Sequence, residues 1–279
     1  MTVSEYFLPE SLDEALDLIG KHRSEVLVMG GGTVVMPLIN DGVSLPKRVL
    51  GLRKAGLDKV TRENGHVAIG AATPLTKMLE LDAIPMLQEA AKNTAAWAVR
   101  NLGTVGGNLF APPPAGDFAV ALLALDAWVK LANTQGERTV ALADFYTGFL
   151  SNVMKDDELL VEVQAPIPTG ETVYIKYGRK QANTPAVVTV AAQITKDGAI
   201  VDQALIALNG VGPHPIRATE AEAALTGNAL DHASIQKAAD AAEQECEPFT
   251  DAIASEWYRR KMVGVYVKRA LSQLLEEEE

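Results

Sequence analysis

Hydrophobic positions Leu12, Ala15, Leu16 and Ile19 recur at helical spacing behind the string Ser11-Leu12-Asp13-Glu14. That string matches a capping box, so the pattern predicts a short amphipathic helix ended by Gly20. The unbroken run Val26-Leu27-Val28-Met29 predicts a buried strand, followed by Gly30-Gly31-Gly32 and by Thr33, which is placed to cap a short helix that Pro37 keeps irregular. A second strand, Arg48 to Leu52, closes a β-turn-α-β unit. From about residue 56 the texture changes to short strands, with a hairpin predicted at Glu63-Asn64-Gly65 between Val60 and Ile69. Helical patches at Pro74 to Leu81 and Met86 to Ala96 follow, and a second hairpin at Gln135-Gly136-Glu137 is flanked by Trp128 to Ala132 and Thr139 to Leu142.

Pro166, Pro168 and Gly170 mark a boundary. Beyond it Thr172 to Tyr177, Ala186 to Ile194 and Ile200 to Leu208 read as an antiparallel three-stranded sheet turning at Lys196-Asp197-Gly198. Helices are predicted at Thr219 to Leu225, His232 to Glu245 and Glu256 to Leu275, the last with Val263, Tyr266, Val267, Ala270, Leu271 and Leu274 on one face, before a solvated tail at Glu276 to Glu279. The expected class is α+β, in three parts: 1–55, 56–168 and 169–279.

Composition narrows the function. With 48% hydrophobic and 22% charged residues in 279, the chain can bury substantial cores and is no disordered segment. A net charge of −11 repels nucleic acid and anionic membranes, and no basic patch offsets it. The longest apolar run, Phe118 to Leu125, is too short to cross a bilayer, and Met1-Thr2-Val3-Ser4-Glu5 carries no export pattern, so a cytoplasmic location is expected. Cys246 is the only cysteine, which excludes a disulfide, a redox pair and any four-cysteine iron–sulfur or zinc site built from this chain alone. The four histidines are scattered, and the chain has no G-x-G-x-x-G (Val35 stands at the third glycine), no phosphate-loop lysine motif, no H-E-x-x-H and no G-x-S-x-G.

Two glycine turns remain: Gly30-Gly31-Gly32-Thr33 and Gly103-Thr104-Val105-Gly106-Gly107-Asn108. Without Cβ atoms such turns let an anion reach backbone N–H groups, and two of them suit a pyrophosphate. Alone, the first is equally a tight strand-to-helix turn. The second leads into Ala111-Pro112-Pro113-Pro114-Ala115-Gly116-Asp117, read as a stiff extended segment delivering one carboxylate, which suits ribose or ribityl hydroxyls.

The stretch Val99-Arg100-Asn101-Leu102-Gly103-Thr104-Val105-Gly106-Gly107-Asn108-Leu109 through Asp117 resembles the signature of the FAD-binding medium subunits of molybdenum hydroxylases, the xanthine dehydrogenase and carbon monoxide dehydrogenase type. Gly30-Gly31-Gly32-Thr33 with Pro37-Leu38 is similar to that family's first flavin loop. The likeness continues through Asp144-Phe145-Tyr146-Thr147-Gly148, Asp157-Glu158-Leu159-Leu160 and Tyr174-Ile175-Lys176-Tyr177-Gly178-Arg179-Lys180, in order along nearly the whole chain.

The resemblance implies a two-part FAD-binding domain of the vanillyl-alcohol oxidase and molybdopterin dehydrogenase flavoprotein type, covered by the C-terminal sheet and helices. It implies that Met29, Gly30, Gly31, Gly32, Thr33 and Val34, with Thr104, Val105, Gly106, Gly107 and Asn108, bind the pyrophosphate through backbone N–H groups. Asp117 would take the sugar or ribityl side, Leu160 would lie near the isoalloxazine, and Lys176 would approach the flavin's polar edge, where positive charge favours the anionic reduced cofactor. The family commonly has a polar residue where this chain has Val34, so only backbone contact is expected there. It further implies an iron–sulfur small subunit carrying 2Fe–2S clusters and a large subunit carrying molybdopterin, assembled as a dimer of heterotrimers. One cysteine agrees with clusters held in partner chains. The rival readings are a stand-alone FAD oxidase or dehydrogenase, for which no His or Tyr offers itself as base, and a non-catalytic nucleotide-binding scaffold.

Overall fold

A computed structural model of the chain describes residues 3–180 and 183–276. Met1-Thr2 and residues 277–279 of the acidic tail, on which part of the reading above rests, lie outside the described residues. The first sheet is parallel, with β1 (Glu5–Phe7) and β2 (Val26–Met29) on either side of β3 (Arg48–Gly51). β1 adds a strand to the expected unit; three residues are too few for periodicity to register.

The helix after β1 is α1 (Leu12–His22), whose cap is Ser11: its Oγ accepts the Glu14 amide at 3.2 Å. Glu14 turns its carboxylate to the Glu10 amide instead of closing the box on Ser11. α1 runs through Gly20 and stops where Arg23 takes φ 49°. α2 (Val35–Asn40) begins at Val34, which has no side-chain cap bond, so Thr33 is not its cap. Pro37 falls in the first turn, where the missing N–H has no intrahelical acceptor to lose.

The second sheet is antiparallel, with order β4 (Val60–Glu63), β5 (His66–Gly70), β10 (Leu159–Pro166), β6 (Trp128–Asn133), β7 (Gly136–Ala141). Asn64 at φ 49° and Gly65 at φ 80° supply the two left-handed residues that a two-residue hairpin demands. After a 3₁₀ turn at Leu75–Glu80, α3 (Pro85–Asn93) ends three residues before the expected Ala96, because Thr94 is extended and Ala95 has φ 52°. α4 (Trp97–Arg100) and α5 (Val105–Leu109) follow. The proline segment is not extended: the Ala115 amide bonds the Pro112 carbonyl, and Gly116 at φ 85° turns the chain into α6 (Asp117–Ala124). Every residue of α6 is buried, consistent with its apolar circumference. β6 (Trp128–Asn133), β7 (Gly136–Ala141), the small pair β8 (Tyr146–Gly148) and β9 (Ser151–Asn152), and β10 (Leu159–Pro166) complete this part.

β11 (Glu171–Gly178), β12 (Ala186–Asp197) and β13 (Ile200–Asn209) form the expected antiparallel meander, and a two-residue fourth strand, β14 (Ile216–Arg217), pairs with β13. α7 (Thr219–Leu225), α8 (His232–Glu245) and α9 (Glu256–Glu276) cover one face. There Val190, Ile206 and Leu208 share a core with Val263, Val267 and Leu271. On the opposite face Tyr174, Ala191 and Ala207 join the core around α6.

Arg259 of α9 is fully buried and staples this part together. Its Nη1 donates to the carbonyls of Ala186, Val187 and Gly210, while Nη2 donates to both oxygens of Asp251 at 2.9 and 2.8 Å. Arg259→Met should remove about 3–5 kcal/mol of stability, because the carboxylate and carbonyls lose their donor, and urea unfolding monitored by circular dichroism measures it.

Candidate functional site

The two glycine turns meet backbone to backbone. A Cβ on Gly31 would fall on the Leu102 carbonyl oxygen and lie 2.9 Å from the Gly103 Cα, and one on Gly30 would come within 2.7 Å of Thr104 Oγ1. Gly106 is equally tight, 2.8 Å from the Ala71 Cβ. These glycines join the parallel sheet to the second sheet. Gly32 is needed for conformation, at φ 74°. Gly107 is exposed, and a Cβ there would meet only Thr104 Oγ1, at 2.8 Å.

Between the turns lies a cleft of about 660 Å³, walled by Gly30 to Val34, Thr104, Gly106 to Asn108, Asp117, Leu160 and Lys176. Met29 and Val105 are not among its walls. The Met29 carbonyl accepts the Leu52 amide, and the Val105 side chain is fully buried in the core around α6. The cleft also has walls to which the sequence reading gave no role: Val28, Phe110, Asn152, Met154, Glu158 and the segment Asn183 to Pro185. Of these, Val28 belongs to the apolar run of β2, Phe110 to the family-like stretch that runs on to Asp117, and Glu158 to the stretch Asp157 to Leu160; the others carry no chemical signal in a single sequence.

The turns differ in what they can donate. In the second, the Val105 amide bonds Thr73 O and the Gly106 amide bonds Ala71 O, both at 2.9 Å; the Asn108 amide bonds Thr104 O at 3.0 Å. The Gly107 amide bonds Thr104 Oγ1 at 3.0 Å, so Thr104 caps α5. This corrects the expectation of a pyrophosphate held by the N–H groups of Val105 to Asn108. Asn108 also works internally, its Oδ1 accepting the Ala119 amide at 3.2 Å in the first turn of α6. In the first turn, the amides of Gly31, Gly32 and Thr33 have no protein acceptor among the described residues. The free donors therefore lie in the turn after β2, joined from the second loop by the Thr104 amide, which has no protein acceptor among the described residues.

Asp117 and Lys176 come together at the cleft wall, 4% exposed for the former, with Lys176 Nζ 2.7 Å from Asp117 Oδ2. Thr189 Oγ1 donates to Asp117 Oδ1 at 2.8 Å, and Lys176 Nζ also donates to the Asn93 carbonyl at 3.0 Å. Burial pushes the Asp117 carboxyl above the usual carboxylate range, while Lys176 and Thr189 oppose that rise. Asp117 is thus a paired carboxylate, not the open acceptor the sequence suggested.

Glu158, the other acidic wall, is held by Arg138: Nε to Oε1 at 2.7 Å and Nη2 to Oε2 at 2.8 Å. The Lys155 amide adds a third donor at 2.8 Å. Together these hold the Glu158 carboxyl below its ordinary range, the Arg138 hydrogen bond contributing most.

Unpartnered backbone donors at a glycine turn, a second glycine loop closing on them and a cleft of cofactor size define a nucleotide-binding α+β protein. Residues 2–168 match the family model described as the FAD binding domain in molybdopterin dehydrogenase, and residues 173–274 match the CO dehydrogenase flavoprotein C-terminal domain. The chain belongs to the FAD-binding medium subunits of molybdenum hydroxylases. It is 32% identical over 275 residues to the carbon monoxide dehydrogenase medium chain of Hydrogenophaga pseudoflava, covering 96% of each. It is 30% identical to the glyceraldehyde dehydrogenase medium chain of Sulfolobus acidocaldarius, covering 96% of this chain and 97% of that one. Among solved structures, a chain of the Hydrogenophaga pseudoflava carbon monoxide dehydrogenase superposes with a TM-score of 0.92 at 33% identity over 96% of both chains. A chain of quinoline 2-oxidoreductase from Pseudomonas putida 86 gives 0.90 at 26% identity, over 98% of this chain and 97% of that one.

Because the folded Glu158 is more acidic than the unfolded one, its contribution to stability is present above about pH 4.3 and is lost as pH falls through the folded value. Glu158→Gln should cost about 1–2 kcal/mol at pH 7, allowing for the partly exposed Arg138, and the gap to wild type should narrow as pH falls through the folded value; unfolding curves followed from neutral into acid pH measure it.

Proposed function

We propose that this chain is the flavin relay of a heteromeric molybdenum hydroxylase. Electrons would reach its FAD from the 2Fe–2S clusters of a small subunit, fed by a molybdopterin-bearing large subunit, and leave to an external acceptor, the assembly being a dimer of heterotrimers in the cytoplasm. The observation that carries this reading is the asymmetry of the two turns: the amides of Gly31 to Thr33 are free, whereas those of Val105 to Asn108 are engaged within the protein. FAD supplies the conversion between paired and single electrons. We read the chain as three units, 1–55 and 56–168 enclosing the cofactor and 169–279 covering it.

The chain's residues bind and shield. The Gly31, Gly32 and Thr33 amides would hold the pyrophosphate, with Gly107 leaving room for it. Val34 and Leu160 line the cleft with apolar surface that excludes water from a ring system, and Met29 and Thr104 set the loop ends. On this reading the clusters lie in partner chains, in keeping with Cys246 being the sole thiol of the sequence.

A stand-alone oxidase would need a free acid or base over the cofactor. Among the described residues lining the cleft there is no His or Tyr, and Asp117 and Glu158 are each paired with a cation. No described helix is long and apolar enough to cross a membrane.

Purified chain mixed with FAD should bind one equivalent, read from flavin absorbance after gel filtration; a colourless chain overturns the reading. Turnover of a small organic substrate by the FAD-loaded chain alone would favour the oxidase. Gly107→Val should reduce FAD affinity at least 100-fold while the circular dichroism spectrum is retained, since the new side chain displaces only Thr104 Oγ1 and otherwise fills the cleft. Unchanged stoichiometry and affinity in that variant would show that the second loop does not border the cofactor.

A further inference from the structure

Three strands of the C-terminal sheet set Lys176, Thr189 and Asn209 in one cross-strand row, Lys176 opposite Thr189 and Thr189 opposite Asn209. The next row on the same face, Tyr174, Ala191 and Ala207, packs into the core around α6. Thr189 and Asn209 are fully buried, where a polar group without a partner is costly. Their partners lie in the segment that enters α6. Asn209 Nδ2 donates to the carbonyls of Pro114 and Ala115 at 3.2 and 3.0 Å, and Thr189 Oγ1 donates to Asp117 Oδ1 at 2.8 Å. The other Asp117 oxygen receives Lys176 Nζ.

An ammonium has three N–H donors. Lys176 gives one to Asp117 and one to the Asn93 carbonyl, and the third has no protein acceptor among the described residues. The Lys176 side chain is 7% exposed and lines the cleft. Resting on the reading of that cleft as the flavin site, we infer that Thr189 is a positioning residue that acts through Asp117 to fix the Lys176 ammonium beside the cofactor, so that the C-terminal sheet sets how readily the flavin takes up electrons. Asp117 in this arrangement serves the cation, not the cofactor's sugar.

The physical argument is preorganisation. A cation held in place by buried partners stabilises charge gained on a neighbouring group without having to reorganise. Removing the Thr189 hydroxyl leaves Asp117 with Lys176 as its only side-chain donor, and the carboxylate then draws the third N–H to itself.

The test uses the full chain loaded with FAD and the two-electron midpoint potential of its flavin, measured spectroelectrochemically. Thr189→Val should lower the ratio of reduced to oxidised flavin about tenfold at a fixed poise, a displacement of about 30 mV to the negative side, with FAD stoichiometry unchanged. Thr189→Ser, which keeps the hydroxyl, should retain the wild-type potential. Lys176→Met should displace it further in the same direction, and Thr189→Val combined with Lys176→Met should equal Lys176→Met alone, since Thr189 acts through the lysine. If the valine variant does not fold, Thr189→Ala, which adds no methyl, should give the same displacement. An unmoved potential, additive displacements in the double variant, or lost stability and FAD content with no change in potential each overturn the inference. Wild-type chain that binds no FAD overturns it together with the proposed function, whereas FAD-loaded chain with an unmoved Thr189→Val potential overturns this inference alone.

Discussion

Gly31 lies against the Leu102 carbonyl and Gly103 so closely that no side chain fits between them, and the cleft exists because of that contact. Two backbones can approach this far only where both lack Cβ atoms or turn them away. The contact brings the end of β2, and the free amides of Gly31 to Thr33 that follow it, against the second glycine loop. The second loop tolerates the approach because it is stiff: Thr73, Ala71 and Thr104 engage its amides, and Thr104 caps α5. One loop is therefore a fixed wall and the other a donor surface. A symmetric pair of loops, each with open N–H groups, would have left the wall without internal hydrogen bonds and free to deform.

The third sheet is attached by a different device. α6 is apolar on all sides and buried, so it needs covers on several faces, and the small Ala191 and Ala207 let the C-terminal sheet lie on it. The helix begins at Asp117, and burying that carboxylate would be strongly unfavourable without Lys176 and Thr189. A buried ion pair of this kind adds little net stability but fixes geometry, since each partner tolerates only one arrangement. Structure and chemistry coincide there: the ion pair that locates the cover also places a cation at the cleft.

Local features were legible in the sequence because local chemistry decides them. Asn64-Gly65 and Gly198 adopt the left-handed turns their residues favour, Ser11 caps α1, and the stripe from Val263 to Leu274 buries the expected face of α9. The family resemblance rested on the same kind of string, and it brought Gly30 to Val34, Thr104, Leu160 and Lys176 to one cleft. What stayed hidden is what distant residues decide. Val105 and Gly106 look like open donors until Thr73 and Ala71 approach from another turn. Asp117 looks like a free acceptor until β11 and β12 deliver Lys176 and Thr189 from far along the chain. Thr189 carries no signal of its own, since its role follows from register, which a single sequence does not specify.

The lone cysteine and the paired carboxylates point the same way. Cys246 is buried beside Glu243, and burial raises its thiol above the ordinary range, which disfavours the reactive thiolate. Asp117 and Glu158, the acids at the cleft wall, each lie against a cation. Among the described residues the cleft is lined by ion-paired acids, apolar surface and backbone donors. On the proposed reading its whole contribution is to hold FAD and to set the electrostatic field around it, which suits an electron relay whose substrate is chosen by another subunit.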